Sequence, residues 1–258
     1  MAKKHLGQNF LFDPSILTRI VEAAGISAED TVVEIGPGHG SLTRLLARAA
    51  RKVIAIELDP ELYQKLSEAP LLPNNVTLVF DDALKYRYEE LESFKVVANI
   101  PYYITTPIIF RLLDAKKHIT SMTLTIQREV AERIVASPGT KDYGALSIGV
   151  QFYANPRIEF IVPRSAFRPV PKVDSAVVHI QILDKPRAWV RDEKLFFKVV
   201  KTAFAQRRKT LSNALKPLSK DIREMLAEAG IDPIRRAETL SIEEFAKLAD
   251  HLSKRLSQ

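Results

Sequence analysis

The sequence predicts an α/β fold in which an open, mainly parallel sheet is followed by a small all-helical domain. Short apolar strands alternate with helical patterns as far as Leu183, and a glycine-rich turn joins an early strand to a helix. Polar residues stand directly after several of these strands. Beyond Leu183 the pattern is helical only, so the predicted domains are residues 1–183 and 184–258.

The first informative element is a strand, a glycine turn and a helix. An apolar start at residues 31–33 leads into Gly36-Pro37-Gly38-His39-Gly40, and a helical pattern covers residues 41–50. Glycines let backbone N–H groups approach a ligand closely at the start of a helix. The third glycine comes one residue earlier than in the dinucleotide fingerprint. This spacing resembles the S-adenosylmethionine loop of Rossmann-like sheets.

Acidic or amide residues end the next three strands. They are, in chain order, Glu57 after residues 53–56, Asp81 and Asp82 after residues 76–80, and Asn99 after residues 94–98. The carboxyl ends of parallel strands meet at one sheet edge, where α/β folds bind ligands. Glu57 is placed to accept the two hydroxyls of a ribose, and Asp82 to read an adenine amino group. Each residue alone fits an ordinary strand end or helix cap, but the ordered set favours a nucleotide-like cofactor.

The segment Asn99-Ile100-Pro101-Tyr102 predicts a device that presents the amino group of a base. The lone pair of an adenine amine is delocalised into the ring, so the amine must be reshaped before it attacks an electrophile. The Asn99 side-chain oxygen and the Ile100 carbonyl can accept its two hydrogens. Pro101 stiffens the loop and lacks a competing N–H donor. Tyr102 offers a face on which a flipped base can stack.

Together these residues resemble the ribosomal RNA adenine N6,N6-dimethyltransferases, from Lys4 to about Ala214. Four further segments carry the resemblance. They are residues 4–11 (KHLGQNFL), 143–147 (YGALS), 165–177 (SAFRPVPKVDSAV) and 206–215 (QRRKTLSNAL). The last resembles the branch that acts on small-subunit rRNA rather than the macrolide-resistance branch that modifies large-subunit rRNA. Ile100 departs mildly, because the family most often has Leu there.

The resemblance implies S-adenosylmethionine as cofactor and dimethylation of two adjacent adenosines near the 3′ end of small-subunit (16S) rRNA. It also implies a late assembly intermediate of the small ribosomal subunit as the substrate and partner. The residues that match the family's cofactor contacts are Gln8, Asn9, Leu11, Gly36, Gly38, Glu57, Asp82 and Asn99. Those that match its catalytic site are Asn99, Ile100, Pro101, Tyr102 and Phe167. By this resemblance Phe167 approaches the face of the base opposite Tyr102.

The net charge of +7 is concentrated in one segment. Between Asp184 and Pro217 there are ten Lys or Arg and three Asp or Glu, which accounts for the whole excess. Aromatic and amide groups lie among these cations, and this mixture favours an RNA-binding surface. The residues expected to bind RNA are Lys198, Lys201, Arg207, Arg208 and Lys209. Trp189 and the phenylalanines of the C-terminal segment are expected in the core of the helical domain.

Composition argues against several other classes. The 258 residues include no Cys, so there is no disulfide and no thiolate metal site. The five His residues have no ligand-like spacing, and no metal is expected. No apolar run approaches the roughly 20 residues of a membrane span, and the first residues lack the apolar core of a signal peptide. We expect a cytoplasmic monomer without a membrane partner.

Two alternatives remain open from the sequence. One is a large-subunit rRNA adenine methyltransferase, which differs in the RNA that is labelled. The other is a ribosome-assembly or transcription factor that keeps the fold only to bind nucleic acid. The intact glycine loop, Glu57 and the Asn99–Tyr102 segment favour an active enzyme, since a binding-only descendant would be free to lose them.

Overall fold

The backbone forms two units, of which the first is the predicted α/β sheet. The computed structural model describes residues 9–68 and 72–256. The first unit consists of residues up to 131 and residues 155–182, and the second of residues 132–154 and those from 183 onward.

The helices and strands alternate in the first unit, whereas the second is helical. In chain order they are β1 (Phe10–Leu11), α1 (Pro14–Ala23), β2 (Thr31–Ile35), α2 (Ser41–Ala49), β3 (Lys52–Glu57), α3 (Pro60–Glu68), β4 (Val76–Phe80), β5 (Phe94–Asn99), α4 (Thr105–Asp114), β6 (Ile119–Gln127), α5 (Arg128–Val135), α6 (Ala145–Gln151), β7 (Ala154–Val162), β8 (Phe167–Arg168), β9 (Ser175–Ile182), α7 (Glu193–Ala205), α8 (Leu211–Ala214), α9 (Ile222–Glu228) and α10 (Ile242–Leu256). Among the described residues, none of these helices has the length and apolar character needed to cross a membrane.

The main sheet has seven strands in the order β4-β3-β2-β5-β6-β9-β7, and β1 pairs with β8 in a separate two-stranded sheet. Strands β2 to β6 pair in parallel, whereas β9 is antiparallel to β6. From β2 the strands continue to β3 and β4 on one side, whereas β5 and β6 lie on the other side. The gap between β2 and β5 is therefore the topological switch point, where open α/β sheets bind ligands. The predicted α/β fold class is therefore confirmed.

Strand register brings the predicted polar residues to one level of the sheet edge. Ile35 at the end of β2 pairs with Ile56 on one side and with Ala98 on the other. The next residues along these three strands are Gly36, Glu57 and Asn99. Residues separated by more than 20 positions in the sequence therefore surround one crevice.

The second unit is held together by capped helices and an aromatic core. Asp192 accepts the N–H of Leu195 at 3.0 Å and starts α7. The predicted capped start of the last helix is confirmed. The Ser241 N–H donates to Glu244 Oε2 at 2.8 Å, and the Glu244 N–H donates to Ser241 Oγ at 3.2 Å.

The predicted domain division at residues 183 and 184 needs one correction. Residues 132–154 belong to the second unit. The Phe152 ring stacks on Phe196 with centroids 4.6 Å apart, and the Tyr153 hydroxyl donates to Glu193 Oε2 at 2.7 Å. Because this segment precedes the last strand in the sequence, its apolar pattern alone could not assign it to the later helices.

The prediction for Trp189 is wrong. Phe196 and Phe245 are fully buried as expected, but Trp189 is 73% exposed. The segment around Trp189 forms no helix or strand, and backbone hydrogen bonds fix it before and after this residue. The Arg187 N–H donates to the Phe152 carbonyl at 2.8 Å, and the Arg191 N–H donates to Asp250 Oδ1 at 2.9 Å.

Candidate active site

Three cavities lie at the carboxyl ends of β2, β3 and β5, and Gly36 lines all of them. The first cavity is lined by residues that include Gly36, Glu57, Asp81, Asp82 and Tyr103. The second is lined by residues that include Asn9, Phe10, Gly36, Gly38, Glu57, Asn99, Ile100, Pro101 and Tyr102. The third is lined by residues that include Phe10, Leu11, Phe12, Glu34, Gly36, His39 and Asn99.

The structure brings together most of the residues that the sequence singled out. Three of the predicted site residues differ from the others. Leu11 lines the third cavity but is 93% buried and belongs to the apolar core. Gln8 lies outside the described residues. Phe167 does not line any of the three cavities.

The missing Cβ leaves room for a ligand at Gly36 and for the Phe10 ring at Gly38. Gly36 has φ +70°, and no atom of the described residues lies within 4 Å of the place where a Cβ would stand. Gly38 has φ +60°, and a Cβ there would lie 3.0 Å from the Phe10 ring. A side chain at either position would therefore be strained, and at Gly36 it would also project into the cavities.

Glu57 is fixed by backbone donors at the meeting point of the first two cavities. Its Oε1 accepts the N–H of Asp59 at 2.8 Å, and its Oε2 accepts the N–H of Gly38 at 3.2 Å. Burial raises the pKa of this carboxyl, and the backbone donors act in the opposite direction. Each oxygen keeps a second lone pair, so the carboxylate can still accept hydroxyl groups from a ligand.

Asp82 stabilises the turn that follows β4. Its Oδ1 accepts the N–H of Leu84 at 2.9 Å, while its own N–H donates to Asp81 Oδ1 at 2.7 Å. The second oxygen lies 3.8 Å from the Lys85 ammonium. The turn thereby fixes the position of the Asp82 side chain at the first cavity.

Asn99 is the last residue of β5, Ile100 follows it, and both line the second cavity. Asn99 Nδ2 donates to the Asn9 carbonyl at 2.9 Å, so the other end of the amide is the acceptor Oδ1. The Ile100 N–H donates to the Thr125 carbonyl at 3.1 Å, and its side chain is 1% exposed. Within the part of the chain that the structure describes, no backbone N–H donates to the Ile100 carbonyl. Two fixed acceptors therefore stand side by side.

Tyr102 is half-buried beside these acceptors. Its hydroxyl and the Ser175 Oγ share a hydrogen bond at 2.8 Å, which fixes the ring orientation. Burial raises the pKa of Tyr102, and the Ser175 hydrogen bond acts against this shift. Because the ring lines the second cavity, it can serve as a stacking surface for a base.

Phe167, which the resemblance places against the target base, is buried in this structure. The Phe167 side chain is 0% exposed and packs in a core cluster with Leu17, Val162 and Val177. Successive side chains of a strand point to opposite faces. In β8 this alternation directs Phe167 inward and leaves Arg168 exposed. In this structure the residue at the surface of β8 is therefore Arg168.

Two aromatic residues of the site were not singled out from the sequence. Tyr103 is 54% exposed and lines the first cavity with Asp82. Phe10 lines the second and third cavities, and its ring centroid lies 4.5 Å from that of His39. Each of them directly follows a predicted site residue, Tyr102 or Asn9. This adjacency could have indicated that they belong to the site, but it does not reveal which way an aromatic side chain points.

Glu34 is a buried carboxyl at the third cavity. It is 1% exposed, and among the described residues its Oε2 has no hydrogen-bond partner. Burial is the main cause that raises its pKa, to about 8, and the neighbouring charge of Glu57 adds to the shift. Glu34 is therefore largely protonated at neutral pH.

We expect Glu34 to make the protein less stable in alkaline solution. A carboxyl whose pKa is raised in the folded protein stabilises the fold fully at pH values below its ordinary pKa of 4.5. This stabilisation is lost as the pH rises through about 8. Between pH 5 and pH 9 the free energy of unfolding of the wild type should therefore fall relative to that of Glu34→Gln. Chemical denaturation at several pH values measures this difference, and a difference that does not change with pH would contradict the assignment.

The sheet order and the glycine loop after β2 are those of a Rossmann-like methyltransferase. The family model described as ribosomal RNA adenine dimethylase matches residues 1–254. The chain therefore belongs to the ribosomal RNA adenine dimethylase family. This family and fold imply S-adenosylmethionine as the methyl donor.

Relatives and solved structures agree with this assignment. The chain is 53% identical over 254 residues to ribosomal RNA small subunit methyltransferase A of Clostridium botulinum, covering 96% of this chain and 92% of the relative. It is 49% identical to the protein of the same name from Caldanaerobacter subterraneus, with 97% of each chain covered. A dimethyladenosine transferase from Plasmodium falciparum is similar in structure, with a TM-score of 0.79, 27% identity and coverage of 95% and 98%. The 23S rRNA methyltransferase ErmE has a TM-score of 0.71, 30% identity and coverage of 95% and 100%.

Proposed function

We propose that this protein uses S-adenosylmethionine to dimethylate the N6 atoms of two adjacent adenosines near the 3′ end of 16S rRNA. The substrate is an immature small ribosomal subunit in the cytoplasm, and the enzyme acts as a monomer. The observation that carries the proposal is the pair of fixed acceptors, Asn99 Oδ1 and the Ile100 carbonyl, beside the Tyr102 ring. The names of the relatives support the small-subunit substrate.

The residues of the first two cavities fit S-adenosylmethionine. Gly36 leaves open space where any other residue would project a side chain. The Glu57 carboxylate is suited to the ribose hydroxyls, and Asp82 in the first cavity is suited to the adenine amino group. Asn9 and Gly38 line the second cavity with Asn99. The cofactor, when bound, supplies an electrophilic methyl group.

In the proposed mechanism the protein acts mainly by orienting the target amine. Asn99 Oδ1 and the Ile100 carbonyl accept its two hydrogens, which draws the nitrogen toward a tetrahedral shape and frees its lone pair. Tyr102 holds the base by stacking, with its ring fixed through Ser175. The same acceptors stabilise the positive charge that develops on nitrogen. No strong base is required, because the alkylated amine is acidic enough to lose its proton to water.

The basic surface of the second unit is proposed to bind rRNA. Lys198 and Lys201 are exposed on α7, on the side opposite its buried Phe196. Arg207, Arg208 and Lys209 follow in the turn after the helix and are also exposed. Among the hydrogen bonds and ion pairs of the described residues, only Arg207 of these five cations uses its charged group within the protein. Arg207 Nη2 donates to the carbonyls of Lys141 and Tyr143 at 2.6 and 3.2 Å, so this residue also ties two segments of the unit together.

Neutral substitutions of the two neighbouring arginines should have different consequences. We expect Arg208→Gln to weaken RNA binding and to reduce the slope of log K against log salt by about one phosphate contact. Its thermal unfolding should remain unchanged. Arg207→Gln should also lower the unfolding temperature, because it removes the hydrogen bonds to Lys141 and Tyr143. Filter binding at several salt concentrations and thermal melts measure both effects, and identical behaviour of the two variants would contradict these roles.

Transfer of labelled methyl groups to different acceptors tests the proposed function. The acceptors are small-subunit particles that lack the modification, large-subunit particles and deproteinised rRNA. We expect label on the small-subunit particles. Label on large-subunit RNA instead would favour the alternative suggested by the likeness to ErmE. No label on any acceptor, with cofactor and particle binding intact, would indicate a binding-only assembly factor.

A further inference from the structure

Phe12 is a large apolar side chain left at the surface beside the site. It is 48% exposed, although the preceding residue, Leu11, is 93% buried. It lines the third cavity, which also contains Asn99 and Phe10. The Phe12 N–H donates to the Ala166 carbonyl at 3.3 Å, so the backbone beneath the ring is fixed. An aromatic ring is therefore held in solvent next to the residues that orient the target amine.

Arg168 lies against this ring in a fixed position. Its guanidinium carbon is 4.6 Å from the Phe12 ring centroid, within the range of a cation–π contact. Arg168 Nη1 donates to the carbonyls of Ser165 and Phe167 at 3.0 and 2.9 Å. These hydrogen bonds restrict an otherwise flexible side chain, which lowers the entropy lost on binding. The two groups form a preorganised flat surface, which we call the Phe12–Arg168 platform.

The charges around the platform favour stacking over phosphate binding. Arg168 also lines a fourth cavity with Lys65, and the same cavity is lined by Asp59 and Glu61. Among the described residues that line this cavity, the two cations are matched by two acids, so their formal charges sum to zero. A planar, uncharged group can stack on a guanidinium plane or on an aromatic ring. An unpaired nucleobase is such a group.

We propose that the Phe12–Arg168 platform stacks an unpaired base of the RNA next to the target adenosine. The proposal rests on the proposed function, since it requires an RNA strand that enters the site with its target base flipped out. Phe12 and Asn99 line one cavity, so a nucleotide adjacent to the oriented adenosine can reach the platform. Stacking of the neighbouring base would hold the strand while the amine is aligned, and it would act on substrate binding rather than on the methyl donor.

Four substitutions at the platform test this proposal. Phe12→Leu keeps an apolar side chain but removes the ring, whereas Phe12→Tyr keeps the ring. Arg168→Gln removes the charge and the guanidinium plane, whereas Arg168→Lys keeps only the charge. Base stacking is worth about 1–3 kcal/mol, which corresponds to a factor of roughly 5 to 150 in affinity. We expect Phe12→Leu and Arg168→Gln to raise KM for small-subunit particles within this range, with cofactor Kd changed by less than about twofold.

The matched variants decide whether stacking is the cause. The KM of Phe12→Tyr should remain within a few-fold of the wild-type KM, whereas the KM of Arg168→Lys should rise nearly as much as that of Arg168→Gln. The KM of the double variant Phe12→Leu/Arg168→Gln should rise by less than the product of the two single increases, because both groups stack on the same base. Phe110→Leu is the control, since Phe110 is 38% exposed on α4 and does not line the four cavities.

Two outcomes would overturn the platform without affecting the proposed function. One is a wild-type KM for both Phe12→Leu and Arg168→Gln. The other is an equal loss in Phe12→Leu and Phe12→Tyr, which would indicate packing rather than stacking. By contrast, a wild-type enzyme that labels no particle would count against the proposed function itself. Thermal melts of each variant separate a loss of folding from a loss of RNA binding.

Discussion

Replacing Asn99 by Ala is expected to lower kcat by about 10²–10³-fold, the scale found when one preorganised polar contact to a transition state is removed. The side chain supplies one of two acceptors for the target amine, and its Oδ1 is directed by the hydrogen bond from Nδ2 to the Asn9 carbonyl. Cofactor affinity should fall much less, because Glu57, Asp82 and the glycine loop remain. Single-turnover methyl transfer and equilibrium binding of S-adenosylmethionine measure the two quantities separately.

Asn75 provides a matched control for this experiment. Its Nδ2 donates to the carbonyls of Ala47 and Ala50 at 2.8 and 3.1 Å, so Asn75→Ala removes the same kind of amide–backbone contact elsewhere in the sheet unit. We expect this variant to lose stability while its kcat stays near wild type. Equal losses of turnover and cofactor affinity in Asn99→Ala would contradict the role of Asn99 in orienting the amine.

Replacing Gly36 by Ala is expected to weaken cofactor binding by about 10- to 100-fold. Gly36 lines all three cavities with φ +70°, and its Cβ would project into open space that a ligand can occupy. Forcing a methyl group into a packed contact costs about 1–3 kcal/mol. The positive φ also costs roughly 1–2 kcal/mol of stability with any residue that has a Cβ. Isothermal titration with S-adenosylmethionine and denaturant unfolding measure these two effects.

Gly25 separates backbone strain from ligand contact. It has φ +55°, and within the part of the chain that the structure describes no atom lies within 4 Å of its Cβ position, but it does not line the three cavities. Gly25→Ala should therefore lose a similar amount of stability and keep its cofactor affinity. If Gly25→Ala and Gly36→Ala weakened cofactor binding equally, the loss would come from strain and the glycine loop would not contact the cofactor.

Much of the fold could be predicted because its signals are local. Strands β3, β4 and β5 are apolar runs bounded by polar residues, and the carboxyl ends of parallel strands must meet at one edge. The sequence alone therefore places Glu57, Asp82 and Asn99 at one edge of the sheet. The strand order and the register come from the structure, because strands that are buried on both faces carry no alternating pattern that would fix them.

The remaining features depend on contacts between residues far apart in sequence. Phe167 and Arg168 differ only in the face of β8 that they occupy, and that face is set by pairing with β1. Trp189 is apolar enough for a core, yet the anchored residues on both sides of it leave the ring in solvent. Residues 132–154 join the helical unit through the stacked rings of Phe152 and Phe196. No periodicity in the sequence contains this information.

Mapping the modified nucleosides shows whether the protein dimethylates two adjacent adenosines. Small-subunit particles lacking the modification would be incubated with the protein and S-adenosylmethionine, then analysed by primer extension and by digestion to nucleosides. We expect N6,N6-dimethyladenosine at two adjacent positions near the 3′ end of the 16S rRNA, formed about 10²–10³-fold more slowly by Asn99→Ala. Unmodified adenosines after incubation with wild-type protein that binds both the cofactor and the particle would contradict this expectation.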